Sequence, residues 1–237
     1  MGHRPIPNPA DSILPVRSDK KSAARLPIRE EHPRPSLAVD TALLTRDPDR
    51  GLVVLQVARP DTGKWALPGT FLRDRETLAE AVERSLRDKA GVHGIKPHQL
   101  HVFDDPHRDE RDWIISVAHV AVVRPGQLES LGSHAGATAR LVSVDRPGEM
   151  MWDHDEMVRL AKRYVRSRYQ SGPDPERLLG SKFTLRELQR VHEDVEGREL
   201  SRDQFRRRME YLVEPTGIYQ ENTGARGRPA EYFRRKR

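Results

Sequence analysis

From Ser36 onward the chain is a series of short apolar runs separated by polar turns. The runs 37–44 (LAVDTALL) and 52–57 (LVVLQV) flank the turn Asp47-Pro48-Asp49-Arg50-Gly51, the pattern of a β-hairpin. Over 76–89 the period changes, and Leu78, Ala81, Val82, Ser85 and Leu86 recur at helical spacing. Gly91 is a natural stop for that helix, because glycine accepts the left-handed conformation that closes helices. Strands are expected over 100–103, 113–123 and 139–144. A second amphipathic helix is expected over 155–169, with Met157, Leu160, Ala161, Tyr164 and Val165 on one face. Strands around a central helix, closed by another helix, suggest an α+β or α/β sandwich.

Ser171-Gly172-Pro173-Asp174-Pro175 breaks the periodicity and reads as a domain boundary. Beyond it, Thr184-Leu185-Arg186-Glu187 and Ser201-Arg202-Asp203-Gln204 both match the capping box that starts a helix. The first helix should run to about Val195 and the second to about Leu212, with the glycine-containing link 196–200 between them, as in a helix-turn-helix. After Pro215, two strands over 217–220 and 230–233 enclose a Gly/Arg-rich loop over 221–229. Helix, turn, helix and hairpin, in that order, is a winged helix.

On the second capped helix Phe205, Met209 and Leu212 form the inward stripe. Arg206 and Arg207 then point outward, Arg202 and Arg208 flank them, and Gln204 sits on an exposed edge. Alone, such a helix is more simply a solvated basic face. The loop Gly224-Ala225-Arg226-Gly227-Arg228-Pro229 changes this, since Arg226 and Arg228 on a tight tip suit a minor groove. The seven polar residues together point to double-stranded DNA.

Charge supports the same division. Residues 1–35 hold 7 basic and 4 acidic residues, 36–172 hold 20 of each, and 173–237 hold 15 and 12, so the net +6 sits in the two ends. A basic terminal module suits a polyanionic partner. The first 35 residues, rich in Pro and charge, are expected to be a disordered basic arm, the alternative being a short docked strand at 13–16. The absence of cysteine excludes disulfides and thiolate metal sites. No run of about 18 apolar residues predicts a membrane span, and a cytoplasmic protein is expected.

The chemistry lies in WALPGTFLRDRETLAEAVERSLRDKAGV, residues 65–92. Its spacing resembles the Nudix box, with Thr70 at the first glycine, Glu76 and Arg84 kept, and Gly91-Val92 closing it. The paired glutamates fall at Asp88 and Lys89, and the glutamate after the arginine is Ser85. Nudix enzymes cleave a diphosphate with Mg²⁺-activated water, and hard cations need several carboxylate oxygens. Here one carboxylate has become a hydroxyl and another an ammonium. Changing one position from −1 to +1 about 5 Å from a divalent ion costs several kcal/mol at an effective dielectric near 20. No catalytic residue, metal or cofactor is therefore expected. Ligands from outside the box, at Asp104, Asp105, Asp109, Glu110 or Asp112, are the route by which activity would survive. Glu76 and Arg84 are expected to orient the helix, Trp65 to pack rather than stack on a base, and Arg84 and Lys89 are candidate ligand contacts.

A Nudix-like segment followed by LLGSKFTLRELQRVHEDVEGRELSRDQFRRRMEYL and GRPAEYF resembles the Nudix-related transcriptional regulators of NAD metabolism (the NrtR family), as does Trp152-Asp153-His154-Asp155-Glu156 at the domain junction. The resemblance implies an α+β protein: an N-terminal Nudix-like α/β/α sandwich over 36–170 for effector sensing and dimerisation, and a C-terminal winged helix-turn-helix domain over 173–237. It implies a homodimer on a palindromic operator before NAD biosynthesis or salvage genes, with ADP-ribose or a related nucleotide as effector. Two alternatives differ in class: an active Nudix pyrophosphohydrolase with an accessory basic domain, and a ligand-blind Nudix fold serving only as a dimerisation body.

Overall fold

The computed structural model describes residues 34–128, 138–221 and 229–236. The arm expected over 1–35, with its alternative strand at 13–16, falls almost wholly outside them, and so do Arg226 and Arg228.

Strands β1 (Ser36–Asp47) and β2 (Gly51–Ala58) form the expected hairpin. β3 (Trp65–Ala66), β4 (Gly69–Phe71), β5 (His98–Phe103), β6 (Ile114–Val122) and β7 (Ala139–Ser143) complete a mixed sheet. β1 lies at its centre, parallel to β6 and antiparallel to β2 and β4. Alternate residues of a strand face opposite sides, and β1 is apolar on both. Val39 and Leu43 pack with Ala81, Val82 and Leu86 of helix α1 (Leu78–Ala90). Ala42 and Leu44 join the core beneath helix α2 (His154–Ser171), with Met157, Val158, Ala161 and Val165. The result is the expected α/β/α sandwich.

The C-terminal segment has β8 (Phe183–Thr184), α3 (Leu185–Glu196), α4 (Arg202–Met209), β9 (Val213–Tyr219) and β10 (Glu231–Arg235). Its three strands pair in the order β8-β10-β9, and Phe183, Leu188, Phe205, Met209 and Val213 form its core. Val191 and Val195, on the same apolar face of α3 as Leu188, join the core beneath α2. Residues 35–237 thus form one compact unit in which α3 belongs to two cores.

Several local expectations need correction. α1 begins at Leu78, two residues late, because Thr77 and Glu80 form its capping box while Glu76 is drawn to Arg84. The box at Thr184–Glu187 is present, but Ser201 makes no capping hydrogen bond. That turn is held from α3 instead: Glu193 accepts the Leu200 N–H at 3.1 Å, and the Gln189 amide donates to the Leu200 carbonyl at 2.8 Å. α4 ends at Met209 rather than near Leu212, and β9 starts at Val213 and runs through Pro215. Proline is tolerated there because β9 is an edge strand. The short β3, β4 and β8 were hidden by Pro/Gly punctuation and by their length.

Candidate functional site: a cationic cavity linked to a basic head

A cavity of about 220 Å³ opens where β1, β2, β4, α1, the 104–112 loop and the start of α2 meet. Its lining includes four cations, Arg59, Lys89, Arg108 and Arg111, against two carboxylates, Asp40 and Asp109, with Phe71 and Trp152 as aromatic walls. Asp40 is a carboxylate in an apolar strand. It accepts from the Ser116 hydroxyl at 2.5 Å, and His154 Nε2 lies 3.5 Å away. Burial pushes the Asp40 carboxyl up, but His154, Ser116 and Arg108 outweigh it and hold it below the usual range. Gly69 is required above it, since a Cβ there would lie 1.8 Å from Asp40 Oδ1.

Lys89 comes from the last turn of α1, and its ammonium donates to the Gly69 carbonyl. Burial pushes its pKa below the ordinary lysine value. Arg108 is almost completely buried and pairs with Asp153 at 2.6 Å, yet its Nη2 has no hydrogen-bond partner. A buried donor left unpaired calls for an explanation, and a cavity-lining guanidinium has an evident one in an anionic ligand. Trp152 has φ 52°, a conformation that costs a non-glycine residue energy and persists where the surroundings impose it. Its indole donates to Glu110 at 3.2 Å, and the Arg111 guanidinium lies 4.3 Å from its ring centre.

The sequence candidates divide. Lys89 lines the cavity, whereas Arg84 turns away to Glu76 (2.7 Å), the Thr70 hydroxyl (2.9 Å) and the Phe71 carbonyl (2.9 Å). Arg84 ties the box loop to α1, and its guanidinium holds the Glu76 carboxyl down to about 2; this favours the orienting role over ligand contact. Ser85 is buried with its hydroxyl unpartnered, and Asp88 is at the surface beside Arg87. Of the acidic loop, only Asp109 reaches the cavity, and Arg111 holds it at 2.7 Å. Among the described residues no group of three His, Cys, Asp or Glu side chains could hold a metal ion. Trp65 packs under Arg140, 3.9 Å from its ring centre, so the aromatic wall is Trp152 instead.

α2 joins this cavity to the C-terminal segment. Asp153 and His154 at its start touch Arg108 and Asp40. At its end, about 27 Å away at 1.5 Å per residue, the buried Tyr169 donates to Asp174 at 2.8 Å and meets the His192 ring edge-on. Asp174 also accepts the N–H groups of Leu178 and Leu179 at 2.9 Å and a guanidinium N–H of Arg235 on β10. His192 donates from Nε2 to the Pro173 carbonyl at 2.6 Å, which leaves Nδ1 to accept from Arg208 at 3.1 Å. Arg208 is therefore partly engaged inside the fold, while Arg202, Gln204, Arg206 and Arg207 are exposed along α4.

Residues 35–161 match the family model of the NUDIX domain, and residues 175–235 match that of the NrtR DNA-binding winged helix domain. The Shewanella oneidensis NrtR crystallised with a 27mer DNA is 30% identical, with a TM-score of 0.69, over 84% of this chain and 93% of that one. The chain belongs to the NrtR family. The ADPR responsive transcriptional repressor NtrR of Acinetobacter baylyi is 26% identical over 216 residues, 87% of this chain and 84% of that protein. An ADP-ribose pyrophosphatase of Methanocaldococcus jannaschii is 30% identical over 132 residues, 56% of this chain and 74% of that protein. NrtR membership accounts for the order of the two modules, and α4 is the exposed helix of the DNA-binding one. No helix among the described residues is long and apolar enough to cross a membrane.

Proposed function

We propose that this NrtR-family protein is a transcriptional repressor of NAD biosynthesis or salvage genes whose Nudix domain binds ADP-ribose, or a related NAD-derived nucleotide, without hydrolysing it. The observation that carries the reading is the cavity: a cluster of cations around an unpaired Arg108 donor, with Lys89 at a position where a Nudix enzyme keeps a metal-binding glutamate. An ammonium there supplies to a diphosphate the positive charge that Mg²⁺ would otherwise bring. At about 220 Å³ the cavity is smaller than the roughly 300–1,000 Å³ of pockets enclosing whole ligands. It takes the diphosphate and an adjoining ribose, and the base extends past Phe71 and Trp152 at the rim.

In this reading residues 36–170 sense the effector and dimerise, and residues 173–237 bind DNA. Arg202, Gln204, Arg206, Arg207 and Arg208 face DNA from α4, and Arg226 and Arg228 from the wing. Two heads are needed because one short helix makes too few contacts for specific binding, and a homodimer matches a palindromic operator. α2 couples the sites, since its two ends touch the cavity and the head. Two chains per duplex is the expected stoichiometry, and one chain per duplex would contradict it.

The similarity to a pyrophosphatase keeps the enzyme reading in view. The test is calorimetry with ADP-ribose in chelator, followed by product analysis with Mg²⁺ or Mn²⁺. Binding without metal and recovery of intact ADP-ribose are expected. Turnover at ordinary enzyme rates, about 1–10³ s⁻¹, would establish the enzyme instead.

A further inference from the structure

The groove between α3 and α4 has a volume of about 280 Å³ and is lined by Leu185, Arg186, Gln189, Arg202, Phe205 and Arg206. Three arginines from two helices thus share one recess, with no carboxylate among its lining residues. Among the described residues no ion pair or side-chain hydrogen bond engages any of the three, whereas all three arginines of the Nudix-side cavity are paired with carboxylates. The groove on the other side of Phe205 is different in kind. It holds Arg198 and Arg208, and both face Glu196, at 2.7 and 3.8 Å. On one side of Phe205 two arginines thus share a carboxylate, and on the other three arginines have none among the lining residues. Like charges gathered in one recess repel unless an anion joins them, and guanidinium forks match phosphate oxygens.

We propose that Arg186, Arg202 and Arg206 form a clamp for the phosphate backbone of duplex DNA, and that sequence reading on α4 falls to Gln204 and Arg207. The proposal rests on the winged-helix segment binding DNA. It assigns a contact to Arg186, on the helix before α4, and gives Arg206 a positioning role rather than a base-reading one. The geometry suits this: Arg206 leans into the groove with Arg186, while Arg207 lines neither groove beside Phe205. A clamp on one flank fixes the register in which Gln204 and Arg207 enter the major groove.

The experiment uses the full-length protein, an operator duplex selected by the wild type from a random pool, and a scrambled duplex of equal length. Affinities are measured across several salt concentrations. Arg186→Ala and Arg206→Ala should each lower the salt slope by about one and weaken both duplexes alike, about fivefold near 0.15 M salt. Arg207→Ala should weaken the operator more than the scrambled duplex. All three side chains are exposed, so melting temperatures should stay at the wild-type value. An Arg186→Ala protein with wild-type slope and affinity overturns the clamp, as does an Arg206→Ala loss confined to the operator. Wild-type protein that selects and binds no duplex overturns the DNA-binding reading itself, an outcome distinct from either.

Discussion

Asp174→Ala should cost about 3–5 kcal/mol of stability, because it removes a buried charge from its partner and strands several donors. The Asp174 side chain is fully buried, and it gathers the Tyr169 hydroxyl, two backbone N–H groups and Arg235. In a chain of this size that loss lowers the melting temperature by roughly 10 °C. DNA affinity should fall with it, since Asp174 connects the end of α2 to β10. Nucleotide affinity below the transition should change much less, because the cavity lies at the other end of α2. Thermal scans with DNA and ADP-ribose titrations separate these effects, and a melting point within 2 °C of wild type, with unchanged DNA binding, would defeat the idea.

Lys89→Glu should be the most damaging single change to nucleotide binding. It replaces a half-buried cation by an anion beside the expected diphosphate. At about 5 Å and an effective dielectric near 20, each unit of charge is worth about 3 kcal/mol, so affinity should drop by more than about 100-fold in chelator. Lys89→Met removes the charge without reversing it and should fall between the two. Added Mg²⁺ should recover part of the Lys89→Glu loss, because a carboxylate at this position supplies a hard oxygen ligand. Calorimetry with and without metal reads this directly. Equal metal-free affinity for wild type and Lys89→Glu would remove Lys89 from the site.

What was readable in the sequence was whatever is coded locally. The α1 spacing, the Thr184 capping box and the Phe205–Met209 stripe each sit within one helix, and each appears in the structure. The cavity is different, because its cations come from separate segments: Arg59 after β2, Lys89 on α1, and Arg108 and Arg111 in a loop. Only the three-dimensional fold brings them together. One signal was available: Asp40 interrupts the apolar run LAVDTALL, and a carboxylate inside a strand buried on both faces must have partners. Trp152-Asp153-His154 was visible as a junction motif, but its strained tryptophan and its contacts to Arg108 and Asp40 were not. Ser201 shows the opposite error. A matching capping pattern was present, yet Glu193 and Gln189 from α3 held the turn instead. Asp174 looked like linker because prolines flank it, and its role as a buried hub depends on Tyr169 and Arg235, the latter 61 residues away.

Occupancy of the Lys89–Arg108 cavity should alter the grip of the winged helix on DNA. Operator affinity measured with and without saturating ADP-ribose, for the wild type and for Arg108→Ala, tests it most directly. Coupling between two sites in one protein is typically 1–3 kcal/mol, so wild-type operator affinity should shift by about 5–150-fold on adding ADP-ribose. Arg108→Ala should show no such shift. A wild-type protein that binds both ADP-ribose and its operator, with operator affinity the same in the presence and absence of the nucleotide, would contradict the account.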